Sequence, residues 1–320
     1  MKRTLAALLT AVVLAAAPTL AAAEEKAWPS ENITAIITHG AGGDTDYNAR
    51  LICRLVEKKL GVSVVPTNLT GSNGAIAMTE YKDAKPDGSA FVFTNTAALS
   101  ANEATGLVTY GYDAFEPVCI YGRQAGENVI VPADSPYKTF ADLLQASKDK
   151  PNTVRFGIST GGVIYVASVV MTVAGGAQFV PIEQGDAASR LTALLGGHVD
   201  ATIVPYSVAR EYIEAGKVRS LCTLLAETPS MIKDVPPARE TLPELQLNTL
   251  YVVLAPKGTS PEIIEKFNAA ILDVVNNDPE YKEAVESYNF QSPWALNVAD
   301  TNAELKTQRD IYMSFSKYMQ

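Results

Sequence analysis

The segment from Ile36 to Arg50 constrains the fold of this chain more than any other, because it predicts a strand, a glycine-rich turn and a helix in direct succession. The strand is predicted over 33–38, and the helix has apolar residues at helical spacing up to Gly61. Glycines in the turn let the backbone approach a ligand closely, and the unpaired N–H groups at the helix start favour an anion. The segment therefore predicts one half of an anion-binding cleft, although a solvated turn with capping carboxylates has the same pattern.

Other motifs that resemble this segment fail on their spacing. A dinucleotide fingerprint needs Gly or Ala where this chain has Thr45, and a P-loop needs Lys where it has Asp44. A calcium loop needs Gly and Glu where Ala49 and Leu55 stand. With two histidines and no Cys-x-x-Cys, a zinc site is not expected either. The sequence therefore predicts no metal and no cofactor.

The N-terminus has the pattern of a secretory signal peptide. Lys2 and Arg3 precede an apolar run over 5–17, and Ala21 to Ala23 are the small residues that cleavage requires. We therefore expect residues 1–23 to be removed and the mature protein to be exported and soluble. The chain has 26 Lys and Arg against 35 Asp and Glu, which argues against nucleic acid and anionic membranes as partners.

A second strand–glycine–helix unit is predicted over 154–174, with its glycine-rich loop at 158–162. Two such units in different halves of the chain predict one ligand held from two sides. Strands and helices alternate along the remainder, which predicts an α/β fold with mainly parallel sheets, and 320 residues suffice for two domains. The C-terminal segment, 298–318, is predicted to be a polar, solvent-exposed helix.

The three cysteines, Cys53, Cys119 and Cys222, are an odd number for an exported protein. Buried free thiols are the default interpretation of such cysteines. A bridge between Cys119 and Cys222 is the alternative, since both lie where the two domains are expected to join, and the sequence leaves it open.

A series of short motifs runs along nearly the whole mature length of the chain. The first glycine-rich loop contributes Gly42, Gly43, Asp46, Ala49 and Arg50. The further motifs are Asn68 to Gly74, Pro86 to Gly88, Phe115 to Val118, Asp134 to Thr139, Leu194 to Asp200, Ala215 to Arg219 and Ala255 to Thr259. In this order they resemble the motifs of the substrate-binding proteins of tripartite tricarboxylate transporters, the TctC or Bug family.

The resemblance implies a type II-like periplasmic-binding-protein fold with two lobes, each a mainly parallel sheet flanked by helices, and a ligand cleft between the lobes. We expect residues 24–123 and 226–320 to form lobe 1, and residues 124–225 to form lobe 2. The resemblance also implies a periplasmic monomer without catalytic residues, which binds a small organic carboxylate or an amino acid. It would deliver this ligand to the membrane subunits of a tripartite tricarboxylate-type transporter.

The resemblance further implies that both glycine-rich loops hold one carboxylate of the ligand through backbone N–H groups and hydroxyls. The residues expected at this carboxylate are Gly42, Gly43, Asp44, Thr45, Asp46, Ser159, Thr160, Gly161 and Gly162. The residues expected to contact the remainder of the ligand are Asn95, Thr96, Gly185, Asp186, Tyr206 and Ser207. The family's Tyr-Lys-Gly is Glu183-Gln184-Gly185 here. Loss of that cation argues against a di- or tricarboxylate and leaves a monocarboxylate, an aromatic acid or an amino acid open.

His39 stands at the end of the first strand, where the family has an aromatic ring. It either faces the cleft or packs against a neighbouring loop, and the sequence leaves both open. If it faces a bound carboxylate, the anion should raise the pKa of the imidazole, so that binding tightens as pH falls.

The main alternative function is that of an exported serine hydrolase. The residues from Gly157 to Gly161 fit Gly-x-Ser-x-Gly around Ser159, and Asp186 and His198 follow in the order of a triad. Against it, His198 lies in a turn before a buried strand, whereas a triad needs its members delivered by separate strand ends. We therefore expect a binding protein and not an enzyme. A ligand-presenting sensor component is a third alternative, which sequence alone does not separate from transport.

Overall fold

The computed structural model describes residues 27–160, 162–229 and 232–319. The predicted signal peptide, residues 1–23, lies outside these ranges. The strands are β1 (Ile33–Ile37), β2 (Val64–Asn68), β3 (Ala90–Asn95), β4 (Phe115–Arg123), β5 (Glu127–Pro132), β6 (Arg155–Ile158), β7 (Val180–Glu183), β8 (Ala201–Pro205), β9 (Val218–Thr223) and β10 (Leu250–Pro256). The helices are α1 (Asp44–Leu60), α2 (Ala75–Tyr81), α3 (Thr96–Ala104), α4 (Phe140–Asp149), α5 (Gly162–Val173), α6 (Ala187–Leu195), α7 (Tyr206–Glu214), α8 (Pro261–Asn277), α9 (Pro279–Tyr288) and α10 (Val298–Ser314). None of the helices in these ranges is both long and apolar enough to cross a membrane.

The strands form two five-stranded sheets, which we call lobe 1 (order β2-β1-β3-β10-β4) and lobe 2 (order β7-β6-β8-β5-β9) together with their flanking helices. The three strands at the start of each order run parallel, whereas β10 and β5 are antiparallel to both of their neighbours. In each of these two strands the chain arrives from the other lobe, because β5 follows β4 and β10 follows β9. Each therefore runs opposite to the other strands of its sheet. The two-lobed α/β fold is confirmed, and each sheet is mainly parallel, because four of its five strands run in one direction and β10 or β5 alone runs against them.

Two segments connect the lobes. The short one, 124–126, joins β4 to β5, and the long one, 224–249, joins β9 to β10. They pair with each other where the Gln124 N–H donates to the Thr249 carbonyl at 2.9 Å. The lobe limits of 24–123 with 226–320, and of 124–225, stay a prediction.

Helix α1 has the boundaries that its glycines predict. Gly43 precedes it in an extended conformation, and Gly61 ends it with a left-handed φ of 73°, a conformation that glycine adopts without strain. The apolar face of α1, with Ile52, Leu55 and Val56, is buried in the core of lobe 1. This packing fixes the glycine-rich turn at the end of β1.

Two helices differ from the expectations of the sequence. The sequence places no helix after Asn95, but α3 begins there because the Asn95 side chain accepts the Ala98 N–H at 2.8 Å. Most of α3 is buried, so it lacks the one-sided apolar pattern by which a helix is recognised. The predicted C-terminal helix is present, but only one of its faces is solvent-exposed, because α10 packs against α3 and β4 and buries Leu305, Gln308 and Tyr312.

The three cysteines are free thiols and all of them are buried. Cys119 lies in β4 and Cys222 in β9, so the two residues belong to different sheets and form no bridge. Burial raises the pKa of each thiol well above its usual range. The thiols are therefore unreactive core residues.

Candidate ligand-binding site

A cavity of about 630 Å³ lies between the lobes, where helices α1, α3 and α5 begin. Residues from both lobes and from both connections form its wall. The lining residues are His39, Gly40, Ala41, Gly43, Asp44, Thr45, Asn73, Asn95, Ala97, Ala98, Gln124, Glu127, Gly162, Val163, Asp186 and Thr249. The two glycine-rich units are therefore brought to one site, from opposite sides.

The structure brings only part of the sequence-predicted set to this cavity. The predicted residues that line it are His39, Gly43, Asp44, Thr45, Asn95, Gly162 and Asp186. The predicted residues outside its lining are Gly42, Asp46, Thr96, Ser159, Thr160, Gly185, Tyr206 and Ser207, and Gly161 lies outside the described residues. The lining residues that sequence reasoning did not assign to the site are Gly40, Ala41, Asn73, Ala97, Ala98, Gln124, Glu127, Val163 and Thr249. Two of these, Gln124 and Glu127, belong to the polar stretch 123–127, which separates two apolar runs in the sequence. This stretch was the sequence feature that could have indicated a binding residue.

Asp46 organises the first glycine-rich loop from within. Its Oδ2 accepts the Gly42 N–H at 2.9 Å, and its Oδ1 accepts Arg50 Nε and Asn68 Nδ2, each at 2.8 Å. Burial alone would raise the pKa of this carboxyl, but the three donors outweigh it and hold the pKa below its usual value. Asp46 is 3% exposed and does not belong to the cavity lining. It therefore stabilises the loop without contacting the cavity.

His39 faces the cavity, and hydrogen bonds fix its ring. Its Nδ1 lies 2.7 Å from Thr38 Oγ1, and its Nε2 lies 3.4 Å from Asn95 Nδ2. The Asn95 amide also donates to Thr45 Oγ1 at 3.1 Å, which leaves the Thr45 proton for another acceptor. Burial lowers the pKa of His39, while a hydrogen bond with Asn73 acts in the opposite direction. The imidazole is therefore neutral at pH 7.

The second glycine-rich loop is held by a carboxylate of the protein. Both the N–H and the hydroxyl of Thr160 donate to Glu183 Oε2, at 2.8 and 2.7 Å, and the Gly185 N–H donates to Glu183 Oε1 at 3.0 Å. Asp186 begins α6 by accepting the Ser189 N–H at 2.8 Å. The donors of Thr160 are thus already occupied by Glu183 in this structure.

Gln124 in the short connection and Glu127 just after it place two further polar groups in the cavity wall. Gln124 Nε2 donates to Asp44 Oδ2, and the Tyr288 hydroxyl donates to Asp44 Oδ1 at 3.0 Å. Glu127, at the start of β5, is 7% exposed. Burial raises the pKa of Glu127 to about 7; Arg190 opposes this shift and Asp44 adds to it.

The electrostatics of the cavity combine positive helix ends with negative side chains. The first turns of α1, α3 and α5 contribute lining residues, and a helix N-terminus carries a partial positive charge and unpaired N–H groups. Among the described lining residues, the charged side chains are Asp44, Glu127 and Asp186, and none is Lys or Arg. An anion bound here is therefore held by backbone dipoles and not by a cationic side chain.

The residues of the alternative hydrolase triad do not share one site. His198 is exposed in a turn and lines, together with Asp186, a shallow pocket that does not include Ser159 among its described residues. Asp186 is engaged in capping α6. No hydrogen bond among the described residues joins the side chains of Ser159, Asp186 and His198, so their order along the chain is not matched by the contacts of a triad.

A two-lobed α/β fold with two interlobe connections and a polar cavity at converging helix starts defines a solute-binding protein. The family model described as the tripartite tricarboxylate transporter family receptor, TctC, matches residues 48–310, and the chain belongs to this family. Its members are periplasmic substrate-binding proteins, so the chain is a binding protein and not an enzyme.

Individual proteins of known sequence or structure are similar over most of their length. The UPF0065 protein in the gbd 5′ region of Cupriavidus necator is 27% identical, over 92% of this chain and 88% of that protein. A TctC solute binding protein from Polaromonas, solved without ligand, is 24% identical over 91% of this chain and 99% of that one, with a TM-score of 0.79. MatC from Rhodopseudomonas palustris, solved with bound malate, is 22% identical over 89% of this chain and 100% of that one, with a TM-score of 0.71. These two structures share the fold of this chain.

Proposed function

We propose that this chain is a periplasmic solute-binding protein that captures a small carboxylate-bearing metabolite between its lobes. It delivers this solute to the membrane subunits of a tripartite tricarboxylate-type transporter. The observation that carries the proposal is the convergence of three helix N-termini from both lobes on one cavity. Its volume of about 630 Å³ lies within the range of small-molecule sites. MatC, whose fold is similar, holds malate, a small carboxylate.

The ligand carboxylate lies against the helix starts in this proposal. Lobe 1 supplies the hydroxyl of Thr45 and first-turn N–H groups of α1 and α3, and lobe 2 supplies those at Gly162 and Val163. Ser159, Tyr206 and Ser207 reach the ligand only when the lobes approach each other, as hinge closure brings groups from both sides onto a solute. Closure then stabilises the complex with contacts that the open cleft lacks.

A ligand screen tests the charge requirement. We expect a small carboxylic acid to raise the melting temperature, because a ligand that binds only the native state stabilises it. The primary amide of the same acid is the matched control, since it keeps the shape and loses the charge. Equal shifts from acid and amide, or no shift with any carboxylate, would contradict the proposal.

Replacing Gly43 by Val should weaken binding of that carboxylate by at least about tenfold, a loss of 1.4 kcal/mol or more. Gly43 has a φ of −82°, which any residue adopts, and an added Cβ would meet only the Gly40 carbonyl oxygen at 3.5 Å. The fold therefore accepts a side chain here, but the side chain fills space at the anion site. Calorimetric titration measures the loss. Ala141→Val on the exposed face of α4 is the control, and equal affinities in both variants would exclude Gly43 from the site.

The pH dependence of binding tests the role of His39. A carboxylate bound beside the ring favours the imidazolium, so it raises the pKa of His39 from its lowered value. Binding then tightens as pH falls through the pKa of the complex, and the gain is complete below the pKa of the free protein, under 6.5. We expect an effect of a few-fold, measured by titration between about pH 5 and 8 around the histidine range. The variant His39→Phe should lose it, and the same slope in both proteins would make His39 purely structural.

A further inference from the structure

In the cavity wall, Glu127 carries a buried oxygen without a hydrogen-bond partner among the described residues, as Gln124 does with its Oε1. Its carboxylate oxygen Oε2 is buried and has no hydrogen-bond partner in the described part of the chain, although the residue lines the cavity. A buried carboxylate without donors is unfavourable, because it loses hydration and gains no hydrogen bond in return. Asp44, the neighbouring carboxylate, differs because Gln124 and Tyr288 donate to it. A donor that arrives with the ligand would therefore satisfy Glu127 and not Asp44.

The protein groups around Glu127 do not supply that donor. Arg190 is the nearby cation, but its Nε donates to the Ile203 carbonyl at 2.8 Å and its Nη1 to the Gly185 carbonyl at 2.6 Å. No ion pair within 4 Å joins it to Glu127 among the described residues. Tyr312 approaches from α10, and Asp44 approaches from α1 with a like charge. Glu127 thus lines the cavity with a carboxylate that the charge of Arg190 stabilises in part, while its Oε2 has no hydrogen-bond donor among the described residues.

The charges around the cavity favour a ligand that carries both a negative and a positive group. Helix N-termini favour an anion at one end of the site. A second anionic group near Glu127 would meet a carboxylate, with Asp44 adding to the repulsion. A cationic ammonium there would donate charge-assisted hydrogen bonds, which are shorter and stronger than neutral ones. A ligand that carries an ammonium and a carboxylate matches both ends of the site.

We infer that the solute bound in this cleft is an amino acid or a related amino-carboxylate, and that Glu127 accepts a hydrogen bond from its ammonium group. The inference rests on the proposed function, because it assumes that the helix starts hold a carboxylate of the same ligand. It assigns Glu127 the selection of amino-carboxylates over acids that lack the amino group. The absence of Lys and Arg from the described lining residues fits this choice, since the ligand brings its own cation.

Matched pairs of ligands that differ only by the amino group test the inference. The pairs are L-glutamate with glutarate, 4-aminobutyrate with butyrate, and L-phenylalanine with 3-phenylpropionate. We expect calorimetric titration to show at least one amino acid binding roughly tenfold or more tighter than its partner, as expected for a paired buried charge. The variant Glu127→Gln should remove most of that preference, and Glu265→Gln on the exposed face of α8 should keep it.

The outcomes separate this inference from the proposed function. If the acids without an amino group bind at least as tightly as the amino acids, and Glu127→Gln leaves them unchanged, the inference fails and carboxylate capture stands. If no carboxylate of the melting-temperature screen binds, with or without an amino group, both fail. Tighter binding of glutarate by Glu127→Gln than by the parent protein supports the inference, because the substitution removes the repulsion between the two carboxylates.

The pH profile gives a second, independent readout. Burial raises the pKa of Glu127 to about 7, and an ammonium ligand favours the ionised carboxylate. Affinity for the amino acid should therefore rise with pH up to about 7 and stay level above it, and Glu127→Gln should abolish this rise. Affinity that instead falls as pH rises through 7, and no longer does so in Glu127→Gln, would overturn the inference. It would mean that a protonated Glu127 donates to an acceptor on the ligand.

Discussion

Replacing Asp46 by Ala is expected to lower the free energy of unfolding by about 2 kcal/mol, the order expected when the hydrogen bonds of a buried charged group are lost. Binding should be lost at the same time. The substitution leaves the Gly42 N–H and the Asn68 amide without their acceptor and deprives Arg50 of its ion-pair partner. The glycine-rich loop then loses the hydrogen bonds that hold its conformation. The N-terminus of α1 therefore no longer points its N–H groups into the cavity.

Urea unfolding of Asp46→Ala measures this effect. The control is Asp273→Ala, which breaks an exposed ion pair with Lys59 and should cost less than about 1 kcal/mol. The pH dependence has a defined sign, because the pKa of Asp46 is lower in the folded than in the unfolded state. Its contribution is present above the unfolded pKa and is lost as pH falls through the folded pKa. Equal losses in the two variants would show that Asp46 is an ordinary surface carboxylate.

Replacing Glu127 by Gln is expected to act in the opposite direction and to stabilise the ligand-free protein by roughly 3 kcal/mol at pH 8, since each pKa unit corresponds to about 1.4 kcal/mol. The carboxyl ionises near pH 4.5 when unfolded and at about 7 when folded. Its neutral form is therefore the one that folding favours. The resulting stability is fully present below pH 4.5 and is lost as pH rises to about 7.

Urea unfolding of Glu127→Gln and of the parent protein at pH 5 and pH 8 measures this gain. Most of the difference should appear at pH 8, and Glu265→Gln should show none at either pH. A variant that is no more stable than the parent at pH 8 would mean that the carboxylate is well accommodated without a ligand. A gain in stability with a loss in binding is the signature of a residue kept for function at the expense of the fold.

The sequence predicts those parts of this molecule that local chemistry determines. The glycines around α1 set its limits, and the resemblance of the short motifs identified the family and the two lobes. The sequence does not predict α3, because a helix buried on nearly all sides lacks a polar face. It also does not predict the buried face of α10, because Thr301 and Gln308 make that face partly polar.

The candidate site could be predicted only on the side that the glycine-rich loops form. Gln124 follows β4 of one sheet and Glu127 begins β5 of the other, and Thr249 is far from them in sequence, so only the folded chain shows that they meet. The sequence also assigns the donors of Thr160 to a ligand, whereas Glu183 accepts both of them here. A side-chain contact between distant segments leaves no pattern in the local sequence. The sequence therefore could not show which of these residues belong to the site.

The insertion of β10 between β3 and β4 has a consequence for the nascent chain. The strands of lobe 2 lie within the single stretch 127–223, so its sheet can be completed while the remainder is still being synthesised. In lobe 1, β4 has β10 as its neighbour, so it stays unpaired until residues 250–256 have been made. An unpaired strand is prone to intermolecular pairing. The first lobe to be translated is thus the last to be finished, and the nascent chain carries an open strand over more than a hundred residues of synthesis.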